Sequence, residues 1–251
     1  MIRLCALAPA GTDSLAMAQR LGLWGTGVAF APGTTAGEAE ALGRRYRDAG
    51  VRIVQVASAG LQDAPRLLPL AEAAGAMAVA SDAGDGDAAQ LDAVAAICRD
   101  MVAAISTPAR VRLLLETRGL TPLASLLAAS EAVRRVAHPA FGILFDPVGL
   151  LHLDTYFDNG SFLRRCVQQL GTAIGLVHAR DALLHPGGFD FHLSDEPLGR
   201  GALDYAALLS ALAALPGDLP LCVEGAGSEE AVAAALAHLR GVAERVGVAL
   251  G

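Results

Sequence analysis

Two kinds of segment alternate along the chain: short apolar runs, and longer stretches in which Ala and Leu recur at helical spacing. The short runs are bounded by Gly, Pro, Asp or Ser, which is typical of buried β-strands. They predict eight strands: Ile2–Ala8, Gly27–Ala31, Val51–Ser58, Met77–Ser81, Val111–Thr117, Phe141–Asp146, Ile174–Ala179 and Leu219–Glu224.

The stretches between these runs have the periodicity and the end signals of helices. Thr35-Ala-Gly-Glu38 fits a capping box, and Ser228 precedes two acids that suit the start of a helix. Gly50 and Gly217 stand where a helix should end before the next strand. The eight predicted helices are Ser14–Leu23, Gly37–Ala49, Ala64–Ala74, Gln90–Ile105, Leu123–Ala137, Ser161–Leu170, Tyr205–Leu215 and Ser228–Val246.

Eight strands alternating with eight helices predict an α/β protein, a (β/α)8 TIM barrel that forms one domain over residues 1–251. The alternative is a doubly wound open sheet, which would place a Gly-x-Gly-x-x-Gly turn after a strand. The nearest match, Gly84-Asp-Gly86, carries acids that would repel a pyrophosphate. The number of units and the chain length therefore favour the barrel.

Composition limits the partners of the protein. A net charge of −7 argues against nucleic acid, because proteins that bind it concentrate Lys and Arg. No apolar run approaches the ~20 residues of a membrane span, and the N-terminal run is too short for a signal peptide. The four cysteines lack metal-ligand spacing and are predicted to be small buried residues. We expect a cytoplasmic protein without nucleic-acid or membrane partners; its oligomeric state stays open, a homo-oligomer included.

Ionisable side chains end the later strands but not the earlier ones. Strand five ends on Glu116, strand six on Asp146 and strand eight on Glu224, while strand seven carries His178 near its end. In a barrel the side chains at these ends meet at one mouth. Burying three carboxylates together is costly unless a cation compensates them. The four residues therefore predict a site for one divalent metal ion, Mn²⁺, Mg²⁺, Co²⁺ or Zn²⁺.

Each of these residues alone also has an ordinary structural explanation. A strand-terminal acid commonly caps a helix or pairs with an arginine, and Asp146 before Pro147 is especially cap-like. A single buried histidine is more often hydrogen-bonded in the core than bound to a metal. Four such residues at equivalent places on successive strands favour the metal site.

Around these residues the chain resembles the xylose isomerase-like TIM-barrel superfamily, in particular its sugar phosphate isomerase/epimerase branch. That branch includes ketose 3-epimerases, hydroxypyruvate isomerases and inosose dehydratases. The segments "LLLETR", "GILFDPVGLLH", "GLVHARDA" and "LPLCVEG" resemble the family's fifth to eighth strands, which supply a metal-binding Glu, Asp, His and Glu. The seventh also has an Asp three residues after its His, here Asp181, and "PLGRGALDY" resembles a Gly-x-Gly segment that ends in an Asp, here Asp204.

The resemblance implies a metal-dependent isomerase or epimerase that acts on a small ketose, sugar phosphate or polyol derivative through a metal-stabilised enediolate. It implies that Glu116 and Glu224 are the acid and base as well as metal ligands, with Asp146 and His178 completing the metal shell. Two alternatives stay open: a dehydratase on the same scaffold, and a barrel that has lost part of the site and binds a ligand or partner without catalysis. The expected partner of the enzyme is a small-molecule carbohydrate substrate.

Four further residues are candidates for substrate binding. Arg200 is flanked by glycines, and Arg180 lies just beyond strand seven. His192 lies in residues 181–200, which we predict to be a long loop and a candidate lid. A solvated surface role is the alternative for Arg200 and His192. His152 is the histidine nearest to the end of strand six.

Some positions depart from the family pattern. The family often has a substrate-contacting His three residues after the sixth-strand Asp, where this chain has Gly149, and an Asn after the fifth-strand Glu, where it has Thr117. The endonuclease branch of the superfamily has metal-binding His residues on strands three and four, and this chain has none there. A nuclease with three metal ions is therefore not expected.

Overall fold

The computed structural model describes residues 1–105, 111–187 and 191–251. Its barrel strands are β1 (Ile2–Ala6), β2 (Gly25–Val28), β3 (Arg52–Ala57), β4 (Ala78–Ser81), β5 (Arg112–Glu116), β6 (Phe141–Phe145), β7 (Ile174–Ala179) and β10 (Leu219–Val223). All eight are parallel and close in the order β1, β10, β7, β6, β5, β4, β3, β2. The predicted (β/α)8 barrel is confirmed.

Helices follow the strands and cover the barrel from outside. The chain forms α1 (Ser14–Leu21), α2 (Ala36–Asp48), α3 (Ala64–Ala74), α4 (Leu91–Ala103), α5 (Leu126–Val136), α6 (Leu153–Tyr156), α7 (Asn159–Leu170), α8 (Tyr205–Ala213) and α9 (Glu229–Val246). The capping box between Thr35 and Glu38 and the cap at Ser228 are confirmed. Within the described residues, no helix combines the length and the apolar character needed to cross a membrane.

The barrel strands divide their side chains between two cores. A large core lies between strands and helices, and a small one fills the barrel, with Cys5, Val54, Ala78, Ala80, Leu114, Leu144, Leu176 and Cys222 as members. In β5, Leu114 belongs to the inner core, while Leu113 and Leu115 belong to the outer one. Because side chains alternate along a strand, Arg112 and Glu116 share the inner face with Leu114. They lie at opposite ends of the barrel interior, which we call the floor (N-terminal ends of the strands) and the mouth (C-terminal ends).

Strand β2 begins two residues earlier than the sequence predicted. The strand has little apolar signal because Gly25 and Gly27 lie close to their neighbours: a Cβ on Gly25 would lie 2.6 Å from Val54. The buried hydroxyl of Thr26 donates to the carbonyl of Ala6 at 2.7 Å. The strand therefore depends on the close approach of its backbone to neighbouring strands. The apolar run from which the strand was predicted lies partly beyond the end of β2.

The predicted long loop over residues 181–200 is wrong for most of its length. Residues Asp181–Pro186 form β8 and Phe191–Glu196 form β9, an antiparallel pair in which Asp181 lies opposite Glu196. Leu184 and Leu193 face each other and pack against the main core, which explains the strand structure of so polar a segment. Residues 188–190 of the predicted loop lie outside the described residues. The lid role stays a prediction.

Candidate metal centre

Glu116, His178 and Glu224 converge at the mouth of the barrel. Nδ1 of His178 lies 3.2 Å from Oε1 of Glu116 and 2.9 Å from Oε2 of Glu224. One potential ligand atom from each residue lies within 4.8 Å of the other two. Carboxylate oxygen and imidazole nitrogen are ligands that Zn²⁺ and Mn²⁺ accept. The structure therefore brings together three of the four predicted ligands.

The parallel ladder of the barrel accounts for this convergence. Glu116, the last residue of β5, is in register with Leu144 of β6. His178 of β7 is in register with Cys222 of β10, and the backbone N–H of Glu224 donates to the carbonyl of Ala179. Since neighbouring parallel strands end at the same height, their last inward side chains share one space.

Gln55 on β3 belongs to the site and was missed by the sequence analysis. It is buried, and its Oε1 lies 3.0 Å from Nε2 of His178. A carbonyl oxygen only accepts, so this contact places a hydrogen on Nε2 and turns Nδ1 toward the two carboxylates. The available signal was a polar residue between the apolar pairs of "IVQVA".

The electrostatics of the three residues suit a cation. Burial alone would lower the pKa of His178, but hydrogen bonds and negative charge from Glu116 and Glu224 outweigh it and raise the pKa to about 9. Burial alone would raise the pKa of Glu224, but the hydrogen bond from His178 and the nearby cations outweigh it and lower the pKa. In the metal-free protein a protonated imidazole thus supplies the positive charge between the carboxylates.

Asp146 lies at the same mouth but is bound to Arg180. It is fully buried, and its Oδ2 accepts from both Nε of Arg180, at 3.1 Å, and Nη2. Its Oδ1 accepts from the backbone N–H of Val148 at 2.9 Å, so Asp146 also makes the cap-like bond that the sequence suggested. The cluster of three potential ligands does not include it. Its role as the fourth ligand stays a prediction.

Arg180 connects several acids of the site. Its Nε lies 3.5 Å from Oε2 of Glu224, and its Nη1 donates to Asp195 of β9 at 3.0 Å. One guanidinium therefore joins two carboxylates of the mouth to the β8–β9 hairpin. Of the four predicted substrate-binding residues, Arg180 is the one whose described contacts reach the carboxylates of the site.

The other three candidates have different surroundings. Arg200 is exposed, and its backbone N–H donates to the carbonyl of Pro197. His152 is exposed beside the carbonyl of Ala124, and the ring of His192 stacks on that of His185 at 5.1 Å. Among the described contacts, none joins Arg200, His152 or His192 to the three converging residues. Their substrate-binding roles stay predictions.

Asp181 organises the segment that contains Arg200. Its buried carboxylate accepts from four backbone N–H groups, those of Ala182, Gly199, Gly201 and Leu203. A Cβ on Gly201 would overlap Oδ1 of Asp181, which gives the Gly-x-Gly segment a steric reason. Asp204 then accepts from Ala207 and caps α8. Both acids therefore fix backbone near the mouth.

The departures at Gly149 and Thr117 have one structural explanation. The Thr117 hydroxyl donates to the carbonyl of Asp146 and accepts from its N–H, both at 2.9 Å, which holds the ends of β5 and β6 together. The turn after β6 then lies so close to β5 that a Cβ on Gly149 would overlap the Thr117 carbonyl oxygen. No histidine fits at position 149 without a shift of the backbone.

Comparison with known proteins agrees with this architecture. A sequence model described as "Xylose isomerase-like TIM barrel" matches residues 10–242. No curated protein matched the sequence. Among the solved structures that match, the three described next cover nearly the whole chain at low identity, which shows the fold alone.

The first of these is a xylose isomerase domain protein from Planctomyces limnophilus, with a TM-score of 0.77 and 19% identity over 98% of this chain and 97% of that one. An L-ribulose 3-epimerase has a TM-score of 0.72 and 16% identity, covering 98% and 96%. The IOLI protein with a bound zinc atom has a TM-score of 0.71 and 14% identity, covering 97% of each chain.

Proposed function

Because this chain belongs to the xylose isomerase-like TIM-barrel family, we propose that its mouth binds one divalent metal ion and isomerises or epimerises a small sugar or polyol derivative. The convergence of Glu116, His178 and Glu224 carries the proposal. Two of the structural neighbours support it, since one is named an epimerase and another contains zinc.

The residues present fit a divalent ion. Two carboxylate oxygens and Nδ1 of His178 would hold it, with the hydrogen on Nε2 retained by Gln55. When bound, the ion supplies a Lewis acid that stabilises negative charge on the oxygens of a substrate. To act as the fourth ligand, Asp146 would have to release Arg180 and bind the ion instead. Arg180 is therefore a competitor of the metal for that carboxylate.

The protein itself supplies the proton transfers. Isomerisation or epimerisation removes a proton from the carbon beside a carbonyl and returns it to another carbon or to the other face. The side chains of Glu116 and Glu224 are 20% and 29% exposed, so a substrate in the mouth can reach both. In our proposal one carboxylate takes the proton from the carbon, and the other, carrying a proton taken up from solvent, gives that proton to the carbon. Exchange with solvent then restores both groups, while Arg180 orients an oxygen of the substrate.

Proton exchange tests this assignment. Metal-loaded protein is incubated with a panel of ketoses in D₂O, and deuterium at the α-carbon is followed by NMR. We expect exchange in the wild type and a decrease of roughly 100-fold or more in Glu116→Gln and Glu224→Gln, the range of general acid–base catalysis. Glu244→Gln, an exposed acid on α9, is the matched control and should behave as wild type.

Two results would change the proposal. Exchange that survives Glu224→Gln undiminished would show that another group is the base. Loss of water from a substrate with a new C=C or C=O bond, in place of exchange, would assign the site to a dehydratase on the same scaffold.

A further inference from the structure

Arg112 at the floor of the barrel has no acidic partner. Its Nη2 donates to the carbonyls of Phe141, at 3.0 Å, and Ala173, at 3.3 Å, which links the guanidinium to the start of β6 and the segment before β7. Its Nε is buried and has no hydrogen-bond partner among the described residues. Within the same residues Arg112 forms no ion pair, and burial lowers its pKa. The linking role therefore uses only part of its donors.

Nη1 of Arg112 has no hydrogen bond among the described residues and lies beside Gly175, which, like Arg112, lines a cavity. The cavity has a volume of about 180 Å³ and is lined by the first residues of β4, β5, β7 and β10 together with the segments before β7 and β10. Gly142 and Gly175 make room for the charged group: a Cβ on Gly142 would overlap Nη2, and one on Gly175 would lie 2.8 Å from Nη1. Two neighbouring strands thus omit a side chain where Arg112 enters the barrel.

Cations outnumber acids around this floor. Strands β1 and β3 also place arginines near their first residues, and the guanidiniums of Arg3 and Arg52 lie 5.7 and 6.0 Å from the ring centroid of Trp24. Asp218 lines the cavity, but its carboxylate is bound by Arg3 at 2.8 Å. Of the three arginines, only Arg3 has an ion-pair partner among the described residues. This surplus occurs in a chain whose net charge is −7.

We propose that the floor cavity binds a small oxyanion, a phosphate or carboxylate group, through the free donors of Arg112. An oxyanion accepts charge-assisted hydrogen bonds from a guanidinium, which are about twice as strong as neutral ones. It would give an acceptor to Nη1, which lies beside the cavity-lining Gly175 and has none among the described residues. The site is at the opposite end of the barrel from the candidate metal centre and does not depend on it.

Anion-dependent melting tests the proposal. Metal-free protein, freed of chelator, is melted in phosphate, in malonate and in chloride at matched ionic strength, and phosphate binding is measured by equilibrium dialysis. We expect phosphate or malonate to raise Tm by several degrees beyond chloride in the wild type, and Arg112→Met to lose this shift. A larger response to phosphate identifies a phosphoryl group, and a larger response to malonate identifies a carboxylate.

Controls separate the floor from the rest of the surface. Arg240→Gln, which changes an exposed arginine on α9 that does not line the cavity, should keep the shift. If Arg112→Met does not fold, Arg112→Lys keeps the charge but lacks the planar guanidinium and should weaken dialysis binding at least tenfold. The proposal is overturned if the wild type shows no shift beyond chloride, if the shift persists in Arg112→Met, if Arg112→Lys binds as wild type, or if the shift disappears in Arg240→Gln.

Discussion

The two ends of the barrel handle buried charge in opposite ways. At the mouth, the carboxylates of Glu116, Asp146 and Glu224 are compensated by two cations of the protein itself, His178 and Arg180. At the floor, Arg112 has two backbone carbonyls and no acid among the described residues. In our proposals, a metal ion replaces the protein's own cations at the mouth, whereas a bound oxyanion compensates the charge at the floor.

One strand illustrates the contrast. Strand β5 carries Arg112 at its first inward position and Glu116 at its last, with Leu114 between them in the inner core. The apolar layer separates the two charges. The alternation of side chains along β5 therefore gives the strand a cationic end and an anionic end. The residues around each end decide whether its charge is neutralised.

Replacing the arginine at each end gives the largest expected difference in stability. Arg180→Met leaves the buried Asp146 without its cationic partner and should lower the free energy of unfolding of the metal-free protein by about 3 kcal/mol. Arg112→Met removes two hydrogen bonds but leaves no buried acid without a cation, and should lower the free energy of unfolding by about 1 kcal/mol. Urea denaturation of both variants measures the difference. Equal costs would show that the two arginines have the same structural role.

Metal addition extends this comparison. In Arg180→Met the freed Asp146 is available to a divalent ion, so Mn²⁺ should stabilise this variant more than it stabilises the wild type. Arg112→Met should respond to Mn²⁺ as the wild type does. If Mn²⁺ does not stabilise Arg180→Met more than the wild type, Asp146 is not a ligand of the ion.

Added methyl groups probe how rigid the two ends are. In Gly149→Ala at the mouth, the three atoms nearest to the new methyl group are backbone atoms of Thr117 and Arg118, so this variant should be destabilised by about 2 to 3 kcal/mol. Gly175→Ala at the floor meets the side chains of Leu114 and Arg112, which can move, and should cost about 1 kcal/mol. Thermal unfolding checks the order, and a reversed order would contradict the steric explanation for the missing histidine.

Removing the buried amide should give the smallest effect of the series. Gln55→Leu leaves the three converging residues in place but no longer fixes which nitrogen of His178 faces them. Loss of such a partner typically weakens metal affinity by roughly 10-fold. Calorimetric titration with Mn²⁺ measures it, and Gln62→Leu, outside the site, is the control. Unchanged affinity would show that Gln55 does not orient the imidazole.

These contrasts also explain how far the sequence could predict the protein. The barrel was predictable because strand and helix periods alternate without interruption, and the acids of the mouth were predictable because they end their strands. Gln55 lies within a strand, where a polar residue has no characteristic position. Arg112 precedes an apolar run and therefore resembles an ordinary flanking residue.

Other features depend on tertiary contacts that no local pattern encodes. The pairing of Asp146 with Arg180 joins residues 34 positions apart. The β8–β9 hairpin owes its structure to the packing of Leu184 and Leu193 on the core. The steric requirement at Gly149 arises from a hydroxyl on the neighbouring strand. None of these three features could be predicted from residue spacing and composition.

The most direct test of the proposed metal centre is a calorimetric titration of metal-stripped protein with Mn²⁺, followed by the same titration of the Glu116→Gln/Glu224→Gln double variant and of Glu244→Gln. We expect one ion per chain in the wild type, at least a 100-fold loss of affinity in the double variant, and wild-type affinity in Glu244→Gln. Absence of binding in the wild type, or binding that survives in the double variant, would contradict it.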